Sequence, residues 1–215
     1  MRVLITFGAT RESIDPVRYI TNFSSGKTGA QLADYLSENH QVDCLHGIGA
    51  ELPKKKIYKQ SFESFNDLDQ KIHQELRQNH YDAIIHLAAV SDYSVDQVFT
   101  NENKSMNRDQ KINSNDNITI ELKKNHKIIS LLREYSVNKE ILVFGFKLTT
   151  KARKEEEILA VNKLYQSSKA NFIIHNDLSS IDQNKHLFSV YKKNQEVFNG
   201  TTKKQLYEFI SKELK

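Results

Sequence analysis

Apolar runs of strand length alternate with helix-periodic segments along this chain. Strands at 2–7, 42–46, 81–88, 141–147 and 171–175 take turns with helices at 28–39, 64–78, 126–136 and 151–168, interrupted by one polar interval at 92–120. In the first strand Val3, Leu4, Ile5 and Phe7 scarcely alternate with polar residues, the mark of a strand covered on both faces. The order predicts a doubly wound α/β fold: a Rossmann-like, mostly parallel sheet joined by right-handed crossovers. Residues 187–197 read as a β-hairpin and 203–214 as a closing helix. At 215 residues the chain is long enough for a single domain over 1–215 with a full core.

The link between the first strand and the first helix is the exception to this economy. It takes roughly twenty residues where such loops usually take two to six. It reads Gly8-Ala9-Thr10-Arg11-Glu12, then Asp15-Pro16-Val17-Arg18-Tyr19-Ile20-Thr21-Asn22-Phe23-Ser24-Ser25-Gly26-Lys27-Thr28-Gly29. A strand, a glycine turn and the start of a helix make a place for anions, because the first helical amides are unpaired and the dipole favours negative charge. Ser25-Gly26-Lys27-Thr28 imitates the end of a Walker A loop, but Thr21 stands where that pattern needs glycine. Gly8-Ala9-Thr10 likewise begins a dinucleotide fingerprint that Arg11, Glu12 and Ser13 do not complete. Ligands of such folds bind beyond the carboxyl ends of the strands, where Gly8, Ala88 and Phe146 fall.

These residues resemble a known signature. Gly-x-Thr-(Arg/Lys)-Glu followed by Asp-Pro-Val-Arg-(Tyr/Phe)-Ile-x-Asn-x-Ser-Ser-Gly-(Lys/Arg)-x-Gly is similar to that of phosphopantothenate–cysteine ligases, the synthetase half of the bacterial bifunctional coenzyme A flavoprotein. Ala88-Ala89-Val90-Ser91-Asp92-Tyr93, Gln110-Lys111-Ile112, Leu122-Lys123-Lys124-Asn125, Gly145-Phe146-Lys147-Leu148-Thr149-Thr150 and Asn176-Asp177-Leu178-Ser179 keep the family's order. The resemblance implies condensation of 4′-phosphopantothenate with L-cysteine through an acyl-nucleotidylate. It implies CTP as co-substrate, with ATP the alternative, and Mg²⁺ but no flavin.

Residue by residue, the resemblance sets Gly8, Ser24, Gly26 and Gly29 around the triphosphate and Asn22 on the activated acyl group, with Arg18 as an anion-binding fork. Ala88 leaves room for base or sugar, Asp92 accepts from the nucleotide, Phe146 packs on the base, and Lys163, Asn125 and Ile128 complete the nucleotide site. Lys111 matches the first lysine of a Lys-x-Lys-Lys element that here reads Lys111-Ile112-Asn113-Ser114, and His126 replaces the family proline beside Asn125. The interval at 92–120, including turn-rich Asn101-Glu102-Asn103-Lys104 and a short strand at 118–122, is expected to form a flap and a homodimer contact. The ligands of the metal are not legible.

Composition sets outer bounds. A formal charge of +4, from 31 basic and 27 acidic residues, favours small anionic substrates over nucleic acid, and Lys54-Lys55-Lys56 reads as solvated surface. No apolar run approaches the roughly 18 residues of a membrane span. Met1 leads directly into a strand, so the expected location is the cytoplasm, with the subsequent decarboxylase on a separate chain. Cys44, the one cysteine, reads as a buried small hydrophobe. Two other readings stay open: a short-chain dehydrogenase using Tyr165-x-x-x-Lys169, and a non-catalytic nucleotide sensor on the same fold.

Overall fold

A computed structural model describes residues 1–100, 109–181 and 186–215 of the chain. Strand β1 (Arg2–Phe7) leads through a small hairpin, β2 (Arg11–Ser13) and β3 (Tyr19–Thr21), into helix α1 (Lys27–Leu36). Next come β4 (Gln41–Gly47), β5 (Tyr58–Phe62), α2 (Phe65–Gln78) and β6 (Ala83–His86), then the paired strands β7 (Tyr93–Thr100) and β8 (Ile118–Lys124). The rest runs α3 (Leu132–Tyr135), β9 (Leu142–Thr149), α4 (Lys154–Ser168), β10 (Phe172–Asp177), β11 (Phe188–Lys192), β12 (Gln195–Gly200) and α5 (Lys203–Glu213).

The main sheet has the order β12-β11-β10-β9-β6-β1-β4-β5. Its strands pair in parallel except at β11 and β12, which close one edge antiparallel. Alternate side chains of β1 go to opposite faces. Val3, Ile5 and Phe7 pack with Leu32, Leu36, Leu206 and Ile210 of α1 and α5, whereas Leu4 packs with Leu68 and Ile72 of α2 and shares its core with Val161 of α4. Both faces are therefore covered, as the unbroken apolar run requires, and the doubly wound reading holds.

Helix α1 lies close against β1. A Cβ added at Gly29 would come within 2.3 Å of Phe7 Cβ, so only glycine lets the helix start sit down on the strand. Gly8, at φ +85°, turns the chain immediately after β1.

The helix expected at 126–136 is replaced by a 3₁₀ turn, Ile128–Ser130, and the short α3. Leu131 N–H bonds to the Ile128 carbonyl three residues back, which lets the adjacent Ile128 and Ile129 both enter the core. Helix α1 stops at Leu36 and not at 39, and β6 at His86; beyond it Leu87 and Ala89 still donate to the Thr6 and Gly8 carbonyls. Missing from the sequence reading are β2, β3, β5 and β7. In β5 only Phe62 is buried, so the periodic signal is absent. The short strand expected at 118–122 forms as β8 and pairs with β7, while Asn101-Glu102-Asn103-Lys104 lies outside the described residues. Among the described residues no helix is long and apolar enough to cross a membrane.

Gly29→Ala forces α1 off β1, an overpacking change that costs about 1–3 kcal/mol. Thermal denaturation should show the midpoint lower by roughly 2–4 °C for each kcal/mol lost. An unchanged midpoint would show that the close approach is not required.

Candidate functional site

Much of the long link is scaffold. Thr10 is buried: its Oγ1 accepts from Ser91 N–H at 2.9 Å, and its carbonyl accepts from Thr21 Oγ1 at 2.7 Å. Arg11 N–H donates to the Glu63 carbonyl at 2.7 Å, and buried Glu12 accepts from Phe65 N–H, the first amide of α2, at 2.9 Å. These bonds pin the β2–β3 hairpin to the sheet edge beside β5.

Asp15 performs the second tie. Burial alone would push its carboxyl up, but the amides of Val17, Ile112 and Arg18 and the Arg18 guanidinium pull it down to about 2. Arg18 also donates to the Ile112 carbonyl at 3.2 Å. Its Nη1 thus holds a clasp between the hairpin and the segment entering β8, and Arg18 lines neither cavity described below.

The main cavity, about 440 Å³, opens above the carboxyl ends of β1, β6, β9 and β10. Strands run outward from β1 through β4 and β5 on one side and from β6 through β9 and β10 on the other, so Gly8 and Ala88 stand at the switch point of the sheet. Gly8, Ser24, Gly26, Gly29, Ala88 and Phe146, which the resemblance sets in the nucleotide site, line it together. Gly26, at φ +72°, precedes α1 with no side-chain cap, which leaves early helical amides for a ligand.

Lys27, Lys147 and Lys203 also line the cavity, and among the described residues no carboxylate does. Among the described residues none of these lysines has an ion-pair partner. Burial, then repulsion from Lys27, lowers the Lys203 pKa, with Glu51 opposing weakly. Lys203 stands in the first turn of α5, where the dipole disfavours a cation. His186 is pushed down to about 4 by burial and by Lys203, so it is neutral, and among the described residues its buried Nδ1 has no partner.

A second cavity of about 470 Å³ adjoins the first through Phe23, Ser24 and Ser25, and is lined by Ala9, Arg11, Tyr19, Thr21, Asn22, Ile48 and Gly49. Asn22 donates to the Val90 carbonyl at 3.3 Å.

Five further expected positions stand outside both cavities. Asp92 pairs with Lys127, and its carbonyl accepts from Asn125 N–H. The Asn125 side chain bonds Ser91 and Ser94, holding the base of the β7–β8 ribbon. Ile128 is 2% exposed, so its side chain belongs to the core, in one cluster with Ile129, which lies under Gly145 of β9. Lys163 is exposed on α4, across the sheet from α1 and α5. Lys111 is exposed beside buried Ile112.

Cys44 is buried in β4 with its thiol pushed up to about 12, which excludes a thiolate nucleophile. Tyr165 packs in the core on the α4 side and lines neither cavity, which removes the geometry a dehydrogenase needs. Among the described residues no His, Cys, Asp or Glu cluster could hold a metal ion, and a cavity faced by ammonium groups does not suit resident Mg²⁺.

Fold and cavity define a Rossmann-like α/β protein that presents unpaired cations at the switch point of its sheet. The chain belongs to the family of DNA/pantothenate metabolism flavoprotein C-terminal domains, which matches residues 1–215. It is 34% identical over 179 residues to the coenzyme A biosynthesis bifunctional protein CoaBC of Thermococcus kodakarensis, covering 83% of this chain and 42% of that one. The chain spans half or less of the length of the curated relatives it matches first, 50% in that of Methanocaldococcus jannaschii. The crystal structure of the DNA/pantothenate metabolism flavoprotein from Streptococcus pneumoniae superposes with a TM-score of 0.89 at 29% identity, covering 100% of this chain and 98% of that one.

Asp15→Asn should lower stability, because the folded carboxyl at about 2 lies below its unfolded value of about 3.9. Its contribution is complete above about pH 4 and is lost as pH falls toward about 2. Melting curves should show the widest gap between variant and parent at pH 7, closing through that acid window; a gap independent of pH would reject the clasp.

Proposed function

We propose that the chain is a phosphopantothenate–cysteine ligase, joining 4′-phosphopantothenate to L-cysteine at the expense of CTP, with ATP as the alternative nucleotide. One observation carries this reading: a switch-point cavity lined by Lys27, Lys147 and Lys203 and, among the described residues, by no carboxylate, beside the uncapped start of α1. The coenzyme A biosynthesis proteins to which the chain is similar supply the substrate class.

The substrate carboxylate attacks the α-phosphorus, the bond to pyrophosphate breaks, and an acyl-nucleotidylate forms. The cysteine amine then bonds to the acyl carbon, the nucleoside monophosphate leaves with the electron pair, and the amine proton passes to solvent. Helical amides and the three lysines would hold the triphosphate and stabilise the departing pyrophosphate, and Phe146 would lie against the base. Asn22, neutral beside these anions, would hydrogen-bond the acyl phosphate from the neighbouring cavity. Among the described residues Mg²⁺ finds no carboxylate here, so no step is assigned to it.

A homodimer fits the exposed apolar side chains of the ribbon, Tyr93, Ile118 and Leu122, and of the adjoining hairpin, Val17 and Ile20. Arg18 and Lys111 belong to the same hairpin and ribbon region, and we propose that they serve the reaction from that shared face.

Pyrophosphate should be released only when nucleotide and 4′-phosphopantothenate are both present with Mg²⁺, and NADPH should not be consumed. Lys203→Met should lower kcat/KM for the nucleotide by about 10- to 100-fold, the loss of one charge-assisted contact. Its melting temperature should stay level or rise, because removing Lys203 relieves repulsion with Lys27. Unchanged nucleotide kinetics in that variant would contradict the assignment of the cavity.

A further inference from the structure

The second cavity contains a cation that the reaction described so far does not use. Arg11 lies on β2 with its guanidinium 4.7 Å above the centre of the Tyr19 ring. Among the described residues it makes no ion pair and its side chain donates no hydrogen bond, although its backbone is fixed to Glu63. Stacking occupies the flat face of the guanidinium and leaves its edge of N–H donors free. Room for that edge is kept by Gly49, at φ +82°, where a Cβ would stand 2.7 Å from Arg11 Nη2. Among the described residues no carboxylate lines the cavity, so the donors face a space without a native acceptor for charge.

We propose that this cavity is the amino-acid subsite of the ligation, with Arg11 holding the α-carboxylate of the incoming amine substrate. The inference rests on the ligase reading. The number of cations separates the candidate occupants. Three lysines and a helix start suit the polyanion of the main cavity, whereas a lone guanidinium matches one carboxylate. A phosphomonoester carries about −1.5 to −2 at neutral pH and would be left half neutralised by the same residue.

Position supports the same choice. Asn22 lines this cavity, and Phe23, Ser24 and Ser25 are shared with the main one. An amine anchored by its carboxylate on Arg11 therefore reaches an acyl group held at Asn22 without crossing the nucleotide. Fully exposed Phe23, with Ile48 and Tyr19, gives the small apolar side chain of cysteine a wall to lie against. The hairpin is fixed by Glu12 and Asp15 before any ligand arrives, so the donor fork is pre-organised.

The test compares cysteine with cysteamine, the same amine and thiol without the carboxylate. The parent protein should use cysteine about 10- to 100-fold better in kcat/KM. Arg11→Gln should lose that factor for cysteine alone, with cysteamine turnover and amine-independent pyrophosphate release unchanged. Arg11→Lys, which keeps the charge but not the fork, should fall between them and serves if the glutamine variant does not fold.

Equal losses for both amines would assign Arg11 a merely structural role and overturn the proposal. So would a parent protein that does not discriminate, or a rise confined to the KM for 4′-phosphopantothenate. A parent protein that releases no pyrophosphate with nucleotide and 4′-phosphopantothenate fails one step earlier: the ligase reading falls, and the subsite with it.

Discussion

Lys27 and Lys203 crowd together at the starts of two helices, each at the positive end of a helix dipole, with no carboxylate among the described residues of the cavity they share. The fold accepts this repulsion because α1 and α5 cover the same face of the sheet and both begin at its carboxyl edge. Gly29 lets α1 seat directly on Phe7, and Gly8 turns the chain away at the end of β1. The result is a concentration of positive potential at the switch point, which a polyphosphate relieves on binding. Arrangements of this kind stabilise charge as it develops, because the donors are already aimed before the reaction begins.

The long link divides its labour along the chain. Thr10, Glu12 and Asp15 turn inward to bond the sheet edge, the start of α2 and the segment before β8. Arg11, Asn22 and Ser24 line the cavities. A carboxylate that must stay ionised while buried, as Asp15 does, is a costly anchor unless every lone pair is met, and here three amides and a guanidinium meet it. The polar residues that give the motif its distinctive look are therefore largely structural, and their rigidity holds the others in position.

The alternation of apolar runs was enough to read the central strands of the sheet, its main covering helices and the closing hairpin, because β1, β4, β6, β9 and β10 are buried on two faces and carry strong apolar signals. β5 and β7 were not legible, since an edge strand and a ribbon bury only a few side chains each. The glycines and Ser24 of the main cavity followed from the family resemblance, with the glycine turn and helix start as the local pattern beside it. Lys147 and Lys203 did not, because their meeting depends on strand order and on where α5 starts; a lysine in the first turn of a helix was the available signal. Ile128 shows the opposite case, a motif position whose side chain packs into the core.

The central claim is that the cavity between Gly8 and Ala88 holds a nucleoside triphosphate through main-chain amides and unpaired lysines. A crystal structure of the protein with CTP tests it most directly. The account predicts phosphate oxygens within hydrogen-bond distance of the amides that open α1 and of the Lys27 and Lys203 ammonium groups. A triphosphate bound away from α1, with those lysines still facing empty solvent, would contradict it.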